Sequence, residues 1–192
     1  MNFFNSVYKG IPPWDIGRPQ KEFIRLAEDG EISGRVLDVG CGTGENALYL
    51  AELGFEVWGI DAAPYAIKKA KEKAKKRSLT VNYLVFNALK LHLLQNKFDT
   101  IIDCGLFHVF SDEERPIFAT SLSSALCPGG KYFMLCFSEH EPGSYGPRRV
   151  TQAEIRAAFS KGWKFNYIRE AEFETIFGPH GVKAWLSSIT RL

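Results

Sequence analysis

A short apolar run that ends in a glycine-rich turn constrains the fold of this chain more than any other feature. Residues 36–46 read Val-Leu-Asp-Val-Gly-Cys-Gly-Thr-Gly-Glu-Asn. The first four favour a β-strand, whereas residues 46–53 are nearly all apolar, precede Gly54 and favour a helix. A strand, a glycine turn and a helix in this order allow a ligand to approach the backbone closely, with helix N–H groups pointing towards it.

The rest of the chain alternates between strand-like and helix-like segments. Helices are predicted at residues 46–53, from Pro64, at 111–126 and at 151–159, and the last two begin with capping boxes at Ser111–Glu114 and Thr151–Glu154. Strands are predicted at residues 35–39, 55–60, 80–86, 98–103, 130–137, 164–172 and 182–189. The pattern predicts an α/β fold with one doubly wound, mostly parallel seven-stranded sheet and an antiparallel C-terminal hairpin strand.

Length and composition exclude several classes of protein. The 192 residues predict a single domain over 1–192, in which an N-terminal lid or helix segment (1–34) precedes a ligand-binding core (35–192). A net charge of +2 excludes a strongly basic nucleic-acid coat. The chain shows neither a signal peptide nor an apolar run of membrane-spanning length, so we expect a cytoplasmic protein with no membrane partner. The four cysteines lack metal-ligand spacing and predict free thiols and no metal site.

Two acidic residues near the glycine turn indicate which nucleotide the turn can hold. Asp61 ends the second predicted strand, where a carboxylate can accept hydrogen bonds from ribose hydroxyls. Glu45 stands where dinucleotide-binding turns have Gly or Ala, and it would repel a diphosphate. No Gly-Lys-Ser/Thr follows the turn, which argues against a P-loop. S-adenosylmethionine has no phosphate, so neither the charge of Glu45 nor the absence of a P-loop argues against it.

The sequence resembles the class I S-adenosylmethionine-dependent methyltransferases. The resemblance rests on residues 36–44 (Val-Leu-Asp-Val-Gly-Cys-Gly-Thr-Gly), 59–61 (Gly-Ile-Asp) and 128–130 (Pro-Gly-Gly), together with the strand order over 35–192. It implies S-adenosylmethionine as cofactor and S-adenosylhomocysteine as product. The cofactor-binding residues expected from the glycine turn and the resemblance are Trp14, Arg18, Asp38, Gly40, Cys41, Gly42, Thr43, Asp61, Ala62, Asn87, Ala88 and Cys104.

Two segments outside this core are expected to build the acceptor pocket. Residues 8–20 contain Trp14, whose ring can cover a cationic sulfonium or be anchored in the core. Residues 138–150 follow the fifth strand and contribute Tyr145, with Arg148 and Arg149 either orienting an anionic substrate or forming solvated ion pairs.

Shorter motifs narrow the branch of the family. Residues 13–20 (Pro-Trp-Asp-Ile-Gly-Arg-Pro-Gln), 103–108 and 146–150 are similar to the thiopurine, thiol, halide and tellurite methyltransferases and their bacterial small-molecule relatives. This similarity predicts methylation of a thiol or another soft nucleophile, with O-methylation of a phenolic, quinol or hydroxyquinolone-type molecule as the alternative. A hydroxyl acceptor usually needs a base or a pocket that lowers its pKa. His108, in an apolar stretch after the fourth strand, is the predicted base, with a structural role as its alternative. His140 is a weaker candidate.

Three other functions fit the sequence less well than methylation of a small molecule. A nucleic-acid methyltransferase would use the basic run at residues 68–77, but its alanines and lysines separate onto two faces, as in a solvated helix. A non-catalytic cofactor-binding module is disfavoured because the turn and Asp61 are intact, and an NAD(P)-dependent oxidoreductase is disfavoured by Glu45. The expected partner is a small-molecule acceptor, with no nucleic acid, and the chain is expected to be a monomer or weak dimer.

Overall fold

A seven-stranded sheet forms the centre of the molecule, which the computed structural model describes over residues 2–178 and 180–192. The strands are β1 (Val36–Val39), β2 (Val57–Asp61), β3 (Asn82–Val85), β4 (Phe98–Cys104), β5 (Leu126–Phe137), β6 (Trp163–Phe173) and β7 (Val182–Arg191). Their order is β3-β2-β1-β4-β5-β7-β6. Strands β1 to β5 are parallel, and β7 is antiparallel to both β5 and β6.

Six helices cover the two faces of this sheet. They are α1 (Asn2–Val7), α2 (Lys21–Glu28), α3 (Glu45–Glu52), α4 (Pro64–Lys76), α5 (Glu114–Ala125) and α6 (Gln152–Ala158), counted over the described residues. Strand β1 shows why both faces need cover, since all four of its residues are buried. Leu37 and Val39 join an apolar cluster with residues of α5 and α6, whereas Val36 joins a second cluster with residues of α2, α3 and α4.

The predicted fold is confirmed, and the structure refines it in the C-terminal half. Strand β7 lies between β5 and β6, so the antiparallel strand is internal and the edge strand β6 runs parallel to β5. Strand β5 begins at Leu126 and not at residue 130. A 3₁₀ segment at Ala88–Leu94, which the pattern did not predict, follows β3 and is capped by the side chain of Asn87.

One of the two predicted capping boxes caps its helix, whereas the Ser111–Glu114 pair precedes α5, which begins at Glu114 with Glu113 as an N-cap that makes no side-chain bond. Thr151 and Glu154 cap α6 reciprocally. The Ser111 N–H donates to Glu114 Oε2 at 3.0 Å, and the Glu114 N–H donates to Ser111 Oγ at 3.3 Å. In the part of the chain that the structure describes, no helix is long and apolar enough to span a membrane.

Candidate functional site

A cavity of about 730 Å³ opens above the carboxyl ends of the parallel strands. The chain leaves β1 on one side to form β2 and β3 and returns on the other side to form β4 and β5, so the winding direction reverses between β1 and β4. Ligands of open α/β sheets bind at such a reversal. The wall combines the glycine turn, the N-terminal segment, the ends of β2 and β4, the loop after β5 and the β6–β7 connection.

The glycine turn is held against the end of β2 by backbone hydrogen bonds. The N–H groups of Gly40 and Cys41 both donate to the Ile60 carbonyl, at 2.8 and 2.9 Å. Gly42 has a φ of +53°, and a Cβ there would lie 2.7 Å from the Tyr8 hydroxyl oxygen. Glycine at position 42 therefore allows the N-terminal segment to pack directly on the turn.

Asp61 lies at the cavity wall with both carboxylate oxygens bonded to backbone. Oδ2 accepts from the Gly42 N–H at 3.0 Å, and Oδ1 accepts from the Ala63 N–H at 2.8 Å. Burial raises the pKa of the Asp61 carboxyl, and these two N–H groups counteract the rise. Because an ionised carboxylate has about four acceptor positions, Asp61 retains the capacity to bind two ribose hydroxyls.

The charges around the cavity fit a cationic, phosphate-free cofactor. The acidic residues of the wall are Asp15, Glu45, Asp61 and Glu141. Its arginine, Arg18, is held by Glu174 through two hydrogen bonds of 2.9 and 3.0 Å. A sulfonium with an adenosyl diol suits this acidic wall and the Asp61 carboxylate, whereas a diphosphate would be repelled.

Glu45 is part of an ion-pair network and not an isolated charge. Lys73 Nζ lies 2.7 Å from Glu45 Oε1, and Arg77 Nη2 lies 2.8 Å from Glu45 Oε2. Lys73 also donates to Thr43 Oγ1 at 2.7 Å, and that hydroxyl donates to Asp15 at 2.8 Å. The basic run of α4 is therefore not only a solvated face, because Lys73 and Arg77 fasten the glycine turn and the N-terminal segment together.

Most of the predicted cofactor residues line the cavity, but several already have polar partners. The residues in the wall are Trp14, Arg18, Gly40, Cys41, Gly42, Thr43, Asp61, Ala62, Asn87, Ala88 and Cys104. The Trp14 indole N–H donates to the Tyr8 hydroxyl at 2.9 Å, and Asn87 Oδ1 accepts from the Leu89 N–H at 2.9 Å. These side chains shape the wall while they stabilise the fold.

Asp38 differs from the other predicted cofactor residues because it does not line the cavity. It is 1% exposed and lies beneath the start of α3. Neither of its oxygens has a hydrogen-bond partner at normal distance among the described residues. Burial and the nearby Asp103 raise its pKa to about 8, although the Ala47 N–H at the start of α3 counteracts the rise. The structure therefore gives no support to a direct cofactor contact.

Aromatic side chains line much of the cavity wall. Sequence reasoning identified Trp14, Tyr145 and His108 but missed the other rings, which are Phe3, Phe4, Tyr8, Phe86, Phe110, Phe137, Phe173 and Phe177. Phe173 and Phe177 lie at the carboxyl end of β6. The direction of β6 could have predicted that Phe173 and Phe177 line the cavity, because a strand parallel to β5 ends at the same edge of the sheet.

Arg148 and Arg149 do not line the cavity, which favours the second of their two predicted roles, polar pairing outside the substrate pocket. Arg148 forms ion pairs with Asp112 and Glu154. Arg149 donates to backbone carbonyls of its own loop, including those of Tyr145 and Pro147 at 2.7 and 2.8 Å. Arg148 is thus paired with carboxylates, and Arg149 holds the loop that presents Tyr145 through its backbone carbonyls.

His108 lies in the cavity wall within a short 3₁₀ turn, Phe107–Val109. Its Nδ1 accepts from the Phe137 N–H at 3.2 Å. Burial and the positive charges of Arg115 and Arg149 lower the pKa of the imidazole to about 3, so the ring is neutral at pH 7. His140 is outside the wall, where its Nδ1 lies 3.6 Å from Glu170.

Comparison with known proteins shows similarity to methyltransferases. Residues 36–130 match the family model described as "Methyltransferase domain". The chain is 40% identical over 181 residues to the 2-heptyl-1-hydroxyquinolin-4(1H)-one methyltransferase of Mycobacteroides abscessus, covering 88% of this chain and 80% of the relative.

Two solved structures show the same fold. One was reported under "Conversion of a Disulfide Bond into a Thioacetal Group during Echinomycin Biosynthesis" and has 34% identity, with a TM-score of 0.91 over 99% of this chain and 92% of that chain. The other, the magnesium protoporphyrin IX methyltransferase of Synechocystis PCC 6803 with bound S-adenosylhomocysteine, has 20% identity. Its TM-score is 0.69, over 90% of this chain and 80% of that chain.

Proposed function

This chain belongs to the class I S-adenosylmethionine-dependent methyltransferases, and on that premise we propose that it methylates an acidic hydroxyl group on a flat, apolar heteroaromatic molecule of the hydroxyquinolone type. S-adenosylmethionine is the cofactor and supplies an electrophilic methyl group. The acceptor oxygen attacks the methyl carbon in line with the departing sulfur. The enzyme contributes mainly orientation and exclusion of water.

The aromatic character of the acceptor wall carries this proposal. Phe137 and Phe173 pack edge to face with ring centroids 5.2 Å apart, and His108 lies 5.1 Å from Phe137. Flat rings stack well against such walls, and a neutral imidazole places no charge there. The 40% identity to a hydroxyquinolone methyltransferase points to the same class of acceptor.

Different residues suit the cofactor end and the acceptor end of the cavity. Asp61 and the glycine turn would hold the cofactor, since they present acceptors and backbone N–H groups at the end of β1 and β2. Trp14 and Tyr8, joined by a 2.9 Å hydrogen bond, cover the turn from the N-terminal side and help to exclude water. Tyr145, held by the Arg149 loop, borders the opposite side.

A thiol, which the sequence motifs favoured over a hydroxyl, is here the second candidate acceptor. A thiolate is a soft nucleophile and needs no base, which suits a wall whose histidine is neutral. The structural relative of 34% identity is also associated with sulfur chemistry by its title. We rank the hydroxyl first because the relative of 40% identity acts on an N-hydroxy heteroaromatic.

Release of S-adenosylhomocysteine with matched acceptors tests this ranking. We would compare 2-heptyl-1-hydroxyquinolin-4(1H)-one with para-nitrophenol and para-nitrothiophenol, two molecules that share a ring and differ only in the nucleophile. We expect kcat/KM for the hydroxyquinolone to exceed that for para-nitrothiophenol by at least about tenfold, which is a difference of about 1.4 kcal/mol in activation free energy. The O-methylated hydroxyquinolone is the control and should release nothing. Faster turnover of the thiol would reverse the ranking.

A further inference from the structure

The hydrogen bonding of His108 determines which of its nitrogens carries the proton. The Phe137 N–H donates to Nδ1, so Nδ1 presents its lone pair to the backbone. A neutral imidazole in this arrangement carries its hydrogen on Nε2 and has no free lone pair with which to accept a proton. A general base needs such a lone pair.

His108 is one of the residues that line the cavity. No described residue bonds to Nε2, and Nε2 is not among the fully buried polar atoms without a partner. Because the His108 side chain is otherwise packed against Phe137 and Phe173, the accessible surface left to it lies in the cavity wall. The ring therefore offers one hydrogen-bond donor to a molecule bound there.

Burial first, and then the charged groups around His108, keep the ring neutral. Arg115 of α5 and Arg149 of the loop after β5 both disfavour its protonation. Asp103, at the end of the preceding strand β4, uses its carboxylate on the Leu106 and Phe107 N–H groups and on the Tyr132 hydroxyl. Among the described residues, no carboxylate forms an ion pair with His108.

We propose that His108 binds and orients the acceptor by donating a hydrogen bond from Nε2 to the acceptor's ionised oxygen, and that the acceptor enters the site already deprotonated. This inference rests on the proposed function. The acceptor loses its proton to water before it binds. Its oxygen then forms the bond to the methyl carbon while the carbon–sulfur bond breaks, and the electron pair of that bond neutralises the sulfonium.

The wild-type enzyme distinguishes this role from that of a base without any mutation. We would measure kcat/KM against pH for a series of para-substituted phenols that differ in acidity. The midpoint should follow the pKa of each acceptor, because kcat/KM reports ionisations of the free reactants. A midpoint that is the same for all the acceptors, whatever their acidity, would identify an enzyme base and overturn the proposal.

Two substitutions at His108 test the donor directly. His108→Gln keeps an N–H donor that does not titrate, and His108→Phe keeps a ring without a donor. We expect kcat/KM to fall by less than about fivefold in H108Q and by about 10- to 100-fold in H108F, the range for a hydrogen bond to a charged group. The acceptor-dependent pH midpoint should remain in both. Equal losses in the two variants would overturn the proposal.

Controls separate this inference from folding and from the proposed function. His140→Gln, outside the cavity, is the matched substitution and should leave kcat/KM unchanged. Calorimetric binding of S-adenosylhomocysteine checks that each variant folds. Nitrogen-15 NMR of His108 needs no acceptor, and it should show a neutral Nε2–H imidazole from pH 8 down to about 5. A neutral ring with its hydrogen on Nδ1 would overturn the donor role, whereas failure of every hydroxyl acceptor would reject only the proposed function.

Discussion

Asp38 and Asp103 are two buried carboxyls on neighbouring strands, and their partners give them different roles. Asp103 accepts hydrogen bonds from the Tyr132 hydroxyl at 2.7 Å and from the Leu106 N–H at 2.7 Å, which fixes the turn that carries His108. Asp38 has no such partners. Burial raises the pKa of Asp103 to about 7 and of Asp38 to about 8. Both carboxyls are therefore costly to ionise in the folded protein, and Asp38 has fewer hydrogen bonds to offset that cost.

The pH dependence of stability should reveal this cost. The folded-state pKa of Asp38 lies above its unfolded value, so its contribution to stability is fully present below about pH 4 and is lost as the pH rises through about 8. Between pH 5 and pH 8.5 the free energy of unfolding should fall in the wild type. In Asp38→Asn, whose side chain cannot ionise, we expect this fall to be smaller by about 1–3 kcal/mol.

Urea unfolding of the cofactor-free protein at both pH values measures this difference. Asp29→Asn changes an exposed carboxyl in the same way and should follow the wild-type curve. Parallel curves for Asp38→Asn and wild type would mean that Asp38 is ionised at little cost.

At the scale of elements, α4 fastens the N-terminal segment to the glycine turn. Lys73 contacts Glu45 at 2.7 Å and Asp15 at 3.6 Å, and Lys69 donates to the Gly10 carbonyl at 2.6 Å. The Tyr65 N–H donates to the Asn5 side chain at 3.0 Å. These contacts keep the segment over the cavity, where its aromatic side chains form part of the wall.

Loss of the Lys73 contacts should loosen the N-terminal segment. Lys73 is 28% exposed, so we discount its ion pairs for solvent screening and assign about 1 kcal/mol to them together. We expect Lys73→Met to speed cleavage by chymotrypsin before residue 15 by about fivefold and to weaken binding of S-adenosylhomocysteine in the same direction.

Lys71→Met is the matched control, because Lys71 is on the same helix and is exposed. Added salt should bring the wild type closer to the Lys73 variant, since it screens the ion pairs. If the two variants are cleaved at the same rate, the segment is held by its apolar contacts alone.

At the scale of the whole molecule, one cavity joins elements that are far apart in the sequence. The N-terminal segment, the turn after β1 and the connection between β6 and β7 all reach its wall. A ligand that fills the cavity contacts all of them in the native state and none of them together in the unfolded chain. Cofactor binding should therefore stabilise the fold as a unit.

Thermal unfolding tests this coupling and the identity of the cofactor together. S-adenosylhomocysteine at about 100 times its Kd contributes about 2.7 kcal/mol and should raise Tm by about 5–10 °C. NAD at the same concentration should leave Tm unchanged. Asp61→Ala should show less than half of the wild-type shift, since it loses the expected ribose contacts and the two backbone bonds of the Asp61 carboxylate. An equal shift in this variant would contradict our placement of the ribose.

The sequence by itself determined the class of the fold and the cofactor end of the site. Strand, glycine turn, helix and Asp61 lie within 26 residues at positions 36–61, so local propensity and spacing were enough to predict their arrangement. The parallel sheet followed from the alternation of segments, because a crossover helix between strands leaves little other choice.

Only the tertiary structure decided the acceptor end. The wall there depends on β7 lying between β5 and β6, which brings Phe173 and Phe177 to the same edge as His108. It also depends on which side chains find partners: Arg148 pairs with Asp112, and His108 accepts from the Phe137 N–H. Such pairings join residues distant in the chain, and no local pattern encodes them. The proton position on His108, and with it the mode of acceptor binding, is thus a property of the folded molecule.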